Sequence, residues 1–177
     1  MKNARLLTAA LGAGAIALAG AAIAGADSGP SDAEIAHIAY TAGVIDVAAG
    51  KQALAKSKNA AVRQFAQTMV RDHEAVNGQA LALVKKLNVT PAPNATSAAL
   101  SGQAEATMKR LAALDGATFD RAYAANESAF HRTVNGALQQ QLIPAADNSE
   151  LKSLLETGLT LFREHQAHAE HVAAELK

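Results

Sequence analysis

Three histidines and one aspartate stand where helical patterning calls for aliphatic residues. In "MVRDHEAV", His73 falls in line with Val62, Ala66, Met69, Val76 and Ala80, at three- and four-residue steps. His165 falls in line with Leu151, Leu155, Gly158, Phe162, Ala169 and Val172. His131 shares a face with Tyr123, Glu127, Val134 and Leu138, and Asp46 sits among Ala39, Ala42, Ala49 and Ala53. Neutral imidazole nitrogens and a carboxylate oxygen are ligands that zinc, copper and iron accept. Left buried without partners, the same groups would be costly. The candidate metal residues are therefore His73, His131, His165 and Asp46, with Glu127 as a further carboxylate and His168 as a supplement from the edge of the core face. The bland alternative is a hydrogen-bonded polar layer, with His73 or His131 paired to Asp46 or Glu127 and no metal.

Four long helices must position these groups. Ser31 followed by Glu34 has the form of a capping box and opens a helix that runs to about Ser57. Asn59 punctuates, and a second helix continues to Leu87. "NVTPAPNATS" is a loop by its prolines and asparagines. A short amphipathic piece carries Leu100, Ala104, Met108, Leu111 and Leu114 and breaks at Asp115-Gly116. The third long helix is expected from about Ala117 to Leu142, ending at Pro144. The fourth starts on a cap at Asp147 or Ser149 and reaches the C-terminus. No segment alternates with a period of two, so the fold class is all-α: an antiparallel four-helix bundle with a short extra helix before the third long one. Counted from one end of such a bundle, Asp46, His73, His131 and His165 lie about 15, 15, 14 and 11 residues deep, a spread of roughly 6 Å at the helical rise. All four fall near mid-height.

Composition narrows the function. Lys2 and Arg5 precede an apolar run from Leu6 to Ala24, and "AGAD" offers a small-residue cleavage site before Asp27. Residues 1–26 read as a signal peptide and 27–177 as one bundle domain, exported to the periplasm with no membrane span in the mature chain. Without Lys2 and Arg5, fourteen basic residues face sixteen acidic ones, about −2 overall. That balance, with 3% aromatic residues, argues against nucleic acid as a partner. Cysteine is absent, so the core alone must hold the fold. Of the remaining histidines, His37 reads as surface and His171 as a solvated helix end. Asp72 and Glu74 flank His73 but point elsewhere, where either would orient a ligand on a neighbouring helix. Tyr123, two turns from His131, would close the site or simply belong to the core.

The stretches "AGVIDVAAGKQALAKSKNAAVRQFAQTMVRDH", "FDRAYAANESAFHRTV" and "LTLFREHQAHA" resemble the bacterial exported family known as domain of unknown function 4142. The resemblance spans nearly all of the chain after residue 26. It implies a ferritin-like fold, with characteristic histidines on the second, third and fourth helices at His73, His131 and His165. Asp46 stands where the family usually has the longer Glu. A carboxylate-bridged di-iron bundle needs Glu three residues before its histidines; here those positions are Val70 and Phe162, which argues against that chemistry.

Three functional classes are compatible with this pattern. The first is a protein that handles one divalent transition metal in the envelope, without turnover. The second is a metal-free structural bundle that binds an envelope protein partner. The third, ranked last, is a mononuclear metal oxidase or peroxidase. The pattern is silent on oligomeric state.

Overall fold

The computed structural model describes residues 29–176; the expected signal peptide lies outside them. Five helices account for nearly all of the described chain: α1 (Asp32–Lys56), α2 (Ala60–Lys86), α3 (Ala95–Ala112), α4 (Gly116–Ala137) and α5 (Ser149–Glu175). A π-helical stretch, Leu138–Leu142, and a short turn, Ile143–Ala145, extend α4. There is no strand among the described residues. The fold is an all-α bundle. α1 packs on α2 and α4, and α5 packs on α4 and α2, so four helices close a square. α3 lies across the outside of α1 and touches α4.

Local chemistry explains the boundaries. At the start of α1 the Ser31 hydroxyl accepts from the Glu34 N–H, while the Glu34 carboxylate accepts from the Ser31 N–H. Two otherwise orphaned donors are thereby satisfied. Asn88 takes a left-handed φ of 53° and stops α2, with the Val89 N–H reaching back to the Val84 carbonyl. Across the first turn, Arg63 Nη1 donates to the Leu54 and Ser57 carbonyls and so covers the C-terminal end of α1.

Three sequence expectations need correction. α3 is not a short piece; it has 18 residues and begins inside the stretch expected to be loop. Asn94 caps it by accepting from the Ser97 N–H, with the Ser97 hydroxyl returning the bond. Such reciprocal capping is easily lost among neighbouring prolines and asparagines. Pro144 does not end α4. The wider π register, with the Ile143 N–H donating to the Leu138 carbonyl, carries the chain past a residue that has no N–H of its own. Finally, α5 is capped by Asn148, whose side chain accepts from the N–H groups of Glu150 and Leu151, rather than by Asp147 or Ser149. Asp147 and Asn148 instead donate their N–H groups to the Asp32 carboxylate, tying the start of α5 to that of α1.

The core falls into two clusters. One is built on Ala53, Val62, Phe65, Met69, Leu111, Phe119, Tyr123 and Val172. The other is built on Ile35, Ile38, Phe130, Leu138, Leu142, Leu151 and Leu155. Between them lies a layer of buried polar side chains.

Candidate metal centre

α1 reaches this layer by close approach rather than by side-chain length. Gly50 has no room for a Cβ, which would meet Val70 Cγ2 at 2.8 Å and the Ala66 carbonyl oxygen at 3.1 Å. One turn away, Asp46 is only 2% exposed, and its Oδ2 stands 3.4 Å from His73 Nε2. The short aspartate works here because small residues let the two backbones come together. The pair is misaligned for a hydrogen bond, and neither His73 nitrogen has a partner.

His73, His131 and His165 are all at most 3% exposed, and one ring nitrogen of each lies within 4.8 Å of the others. Their ring centroids are 5.2 to 5.7 Å apart. A further contact orients each ring, from its own helix for His131 and from a neighbouring helix for His165 and His73. His131 Nδ1 donates to the Glu127 carbonyl at 3.0 Å, leaving Nε2 as a free lone pair. His165 Nε2 bonds the Asp72 carboxylate at 3.0 Å, leaving Nδ1 without a partner. The Phe162 ring stacks on His73, centroids 4.8 Å apart and planes inclined by 11°. Carboxylates and carbonyls that hold the far nitrogen of an imidazole fix its tautomer and raise its basicity toward a metal.

A second group overlaps the first. Asp46, Glu127 and His131 also bring ligand atoms within 4.8 Å of one another. Asp46 Oδ1 and Glu127 Oε2 are buried and unpartnered. Burial, and then the neighbouring Glu127, raise the Asp46 carboxyl well above its ordinary range. Burial likewise pushes Glu127 up to about 7. The two carboxyls face each other and retain a proton near neutrality. The phenol of Tyr123 is raised by burial and by these same carboxyls, and its hydroxyl has no partner. It therefore borders the carboxylate side of the layer, its ring stacked on Phe119 and tilted against Phe65.

The histidines move in the opposite direction. Burial holds His73 down to about 3, helped by repulsion from His131 and His165. Burial holds His131 down to about 4 against its bond to the Glu127 carbonyl. His165 is lowered by burial despite the opposing pull of Asp72. All three are neutral at physiological pH, the state in which imidazole binds metal.

Five of the six residues expected to form a site therefore meet: His73, His131, His165, Asp46 and Glu127. His168 does not join them. Its ring is edge-on to Phe65 at 5.0 Å, in the neighbouring core cluster, because one helical turn beyond His165 carries it up the bundle. His171 is exposed and pairs with Glu175, and half-exposed His37 contacts Thr41. Of the two acids beside His73, Asp72 orients His165, whereas Glu74 pairs with Lys51 at the surface. The role of Phe162 as a stacking wall was not anticipated. Its spacing of three before His165 was the available signal, since such residues share a helix face.

Residues 17–172 match the family described as Domain of unknown function (DUF4142). A bundle with one inward histidine on each of three helices is thus the form taken by a member of that family; the chain belongs to it. Among solved structures it is similar to the crystal structure of a candidate secreted protein, DUF305, from Streptomyces coelicolor. The identity is 15%, the TM-score is 0.68, and the match covers 82% of this chain and 93% of that one. No curated protein matches. The structural likeness supports the fold alone.

Proposed function

We propose that the protein is an exported envelope bundle that holds one divalent transition metal, in the service of metal handling or stress tolerance. The observation that carries this reading is the convergence of three buried, neutral imidazoles, each with a ring nitrogen that lacks a hydrogen-bond partner. Buried polar atoms are ordinarily paired, so a cluster of orphans calls for a missing partner. The charge also balances. Three neutral histidines with ionised Asp46 and Glu127 compensate one divalent cation, and binding would expel the proton that the carboxyl pair otherwise retains. Nitrogen-rich ligation suits zinc, copper or iron. Export is supported by the pattern of residues 1–26 and by the description of the structural neighbour as a secreted protein; the periplasm is the compartment that fits.

A second reading is a metal-free, partner-binding bundle of the envelope. It draws on the bonds of His131 to the Glu127 carbonyl and of His165 to Asp72, which satisfy part of the layer without an ion. An enzyme that uses an open metal position for dioxygen or peroxide ranks third.

Calorimetric titration of zinc, copper and iron into protein purified without a histidine tag separates these readings. The expected result is one ion per chain, lost in the double variant His73→Ala/His131→Ala. Affinity no better than that of the double variant would sink the metal reading.

A further inference from the structure

On one side of the histidine layer the bundle opens. His73 is the last fully buried residue of α2, and the side chains from Val76 to Lys86 are half-buried or exposed. The core cluster on that side contains no fully buried residue of α2. Between the unpacked half of α2 and the rest of the bundle lies a cleft of about 450 Å³. Its walls include Val76, Ala80 and Leu83 from α2, Ala42 from α1, and Leu155 and Phe162 from α5. The one charged lining residue among those described, Glu34, is engaged with Ser31 at the cap of α1.

We propose that this cleft is a binding site for one neutral, largely apolar small molecule. Volume sets the size of the occupant. A dry core cavity of about 150 Å³ accepts benzene; a space three times larger takes a molecule on the order of 15 to 20 heavy atoms, within the usual range for ligand sites. Volume also argues against a partner helix. A helix about 10 Å across that rises 1.5 Å per residue would seat roughly one turn there, too few for the two turns of anchors that groove recognition needs. Charge settles the class. Among the described residues the lining carries no cation to hold a carboxylate or phosphate, and the walls are mainly aliphatic. The occupant would rest against Phe162, whose ring stacks on His73. It would thus lie one ring away from the histidines without touching them. This site does not depend on whether a metal binds.

Fluorescence titration with the neutral probe N-phenyl-1-naphthylamine tests the proposal, on the full chain and on the chain that starts at Asp27. Saturable binding of one probe per chain is expected in at least the shorter form. Filling the space from opposite walls with Ala80→Phe or Ala137→Phe should weaken binding at least tenfold, with helical content and melting temperature maintained. Two filling variants guard against one that fails to fold. Non-saturable binding, no binding in either form, or undiminished affinity in both folded variants would overturn the proposal. So would an affinity that falls as protein concentration rises, because a second copy would then be closing the cleft.

Discussion

The two halves of the bundle are built differently, and the histidine layer is where the change occurs. On the Phe65 side, α2 contributes Val62, Phe65, Ala66 and Met69 to a core closed by Phe119 and Tyr123, all fully enclosed. On the other side α2 contributes no fully buried residue, and Val76, Ala80 and Leu83 face a cleft. The apolar stripe is continuous along α2, yet only half of it is packed. A stripe describes which face turns inward; it does not say how close the facing helices come. The dense half can hold buried polar groups in one geometry, whereas the open half has room for a ligand.

The sharpest test removes one large side chain from each half. Phe65→Ala should cost about 3–5 kcal/mol, because the cavity left in the enclosed half cannot collapse. Leu83→Ala should cost about 1 kcal/mol or less, since its side chain is already half-exposed. Denaturant melts of the two variants measure the difference, and equal costs would erase the contrast.

Two glycines of α1 offer a finer comparison. A Cβ on Gly50 would press on Val70 and on the Ala66 backbone, so Gly50→Ala should destabilise by about 1–3 kcal/mol through overpacking. A Cβ on Gly43 would meet only the mobile end of Asn77. Gly43→Ala should stay within about 0.5 kcal/mol of the parent, helped by its higher helix propensity. If both variants melt alike, α1 and α2 do not approach as described.

At the layer itself, Asp72→Ala should leave the fold intact but weaken metal binding about 10- to 100-fold, the usual cost of losing a partner that orients a ligand histidine. Competition with a chromogenic chelator reads this directly. Glu74→Ala, two residues on and on the opposite face of the same helix, should change nothing in that assay, because Glu74 pairs with Lys51 in solvent.

The smallest effect concerns pH without metal. Carboxylate pairing of the histidines would have raised their folded pKa values and stabilised the bundle in acid. The structure reverses that sign. His73, His131 and His165 are lowered by burial, so they favour the folded state above an unfolded value near ~6.5 and lose that contribution as pH falls toward 3 to 4. Asp46 and Glu127 are raised, so they favour the folded state in acid and lose that contribution as pH rises through about 7. The two sets oppose each other, and the metal-free melting temperature should vary little between pH 5 and 7. With metal bound the carboxyls carry no proton, the opposition disappears, and stability should rise steeply with pH. Parallel pH profiles with and without zinc would contradict this.

Much of this architecture was legible in the residues. The capping box at Ser31 and Glu34, the end of α2 before Asn88 and the inward position of each histidine all follow from local chemistry and helical period. The start of α3 was hidden because Asn94 and Ser97 sit in a segment whose composition reads as loop. Passage through Pro144 was hidden because the π register that permits it has no sequence signature. His168 was misplaced because a position on the edge of a helical face does not say which neighbour will cover it.

By itself, then, the sequence determined the elements, the sides they turn inward and the depth at which their polar groups lie, since these depend on spacing along a single helix. Only the tertiary structure decided which groups meet. The nearness of Asp46 to His73 depends on the contact of Gly50 with α2, the orientation of His165 on Asp72 from another helix, and the cleft on the divergence of α2 from its neighbours. Each is a distance between helices, set by how side chains from different parts of the chain pack together, and no periodicity within one helix encodes it.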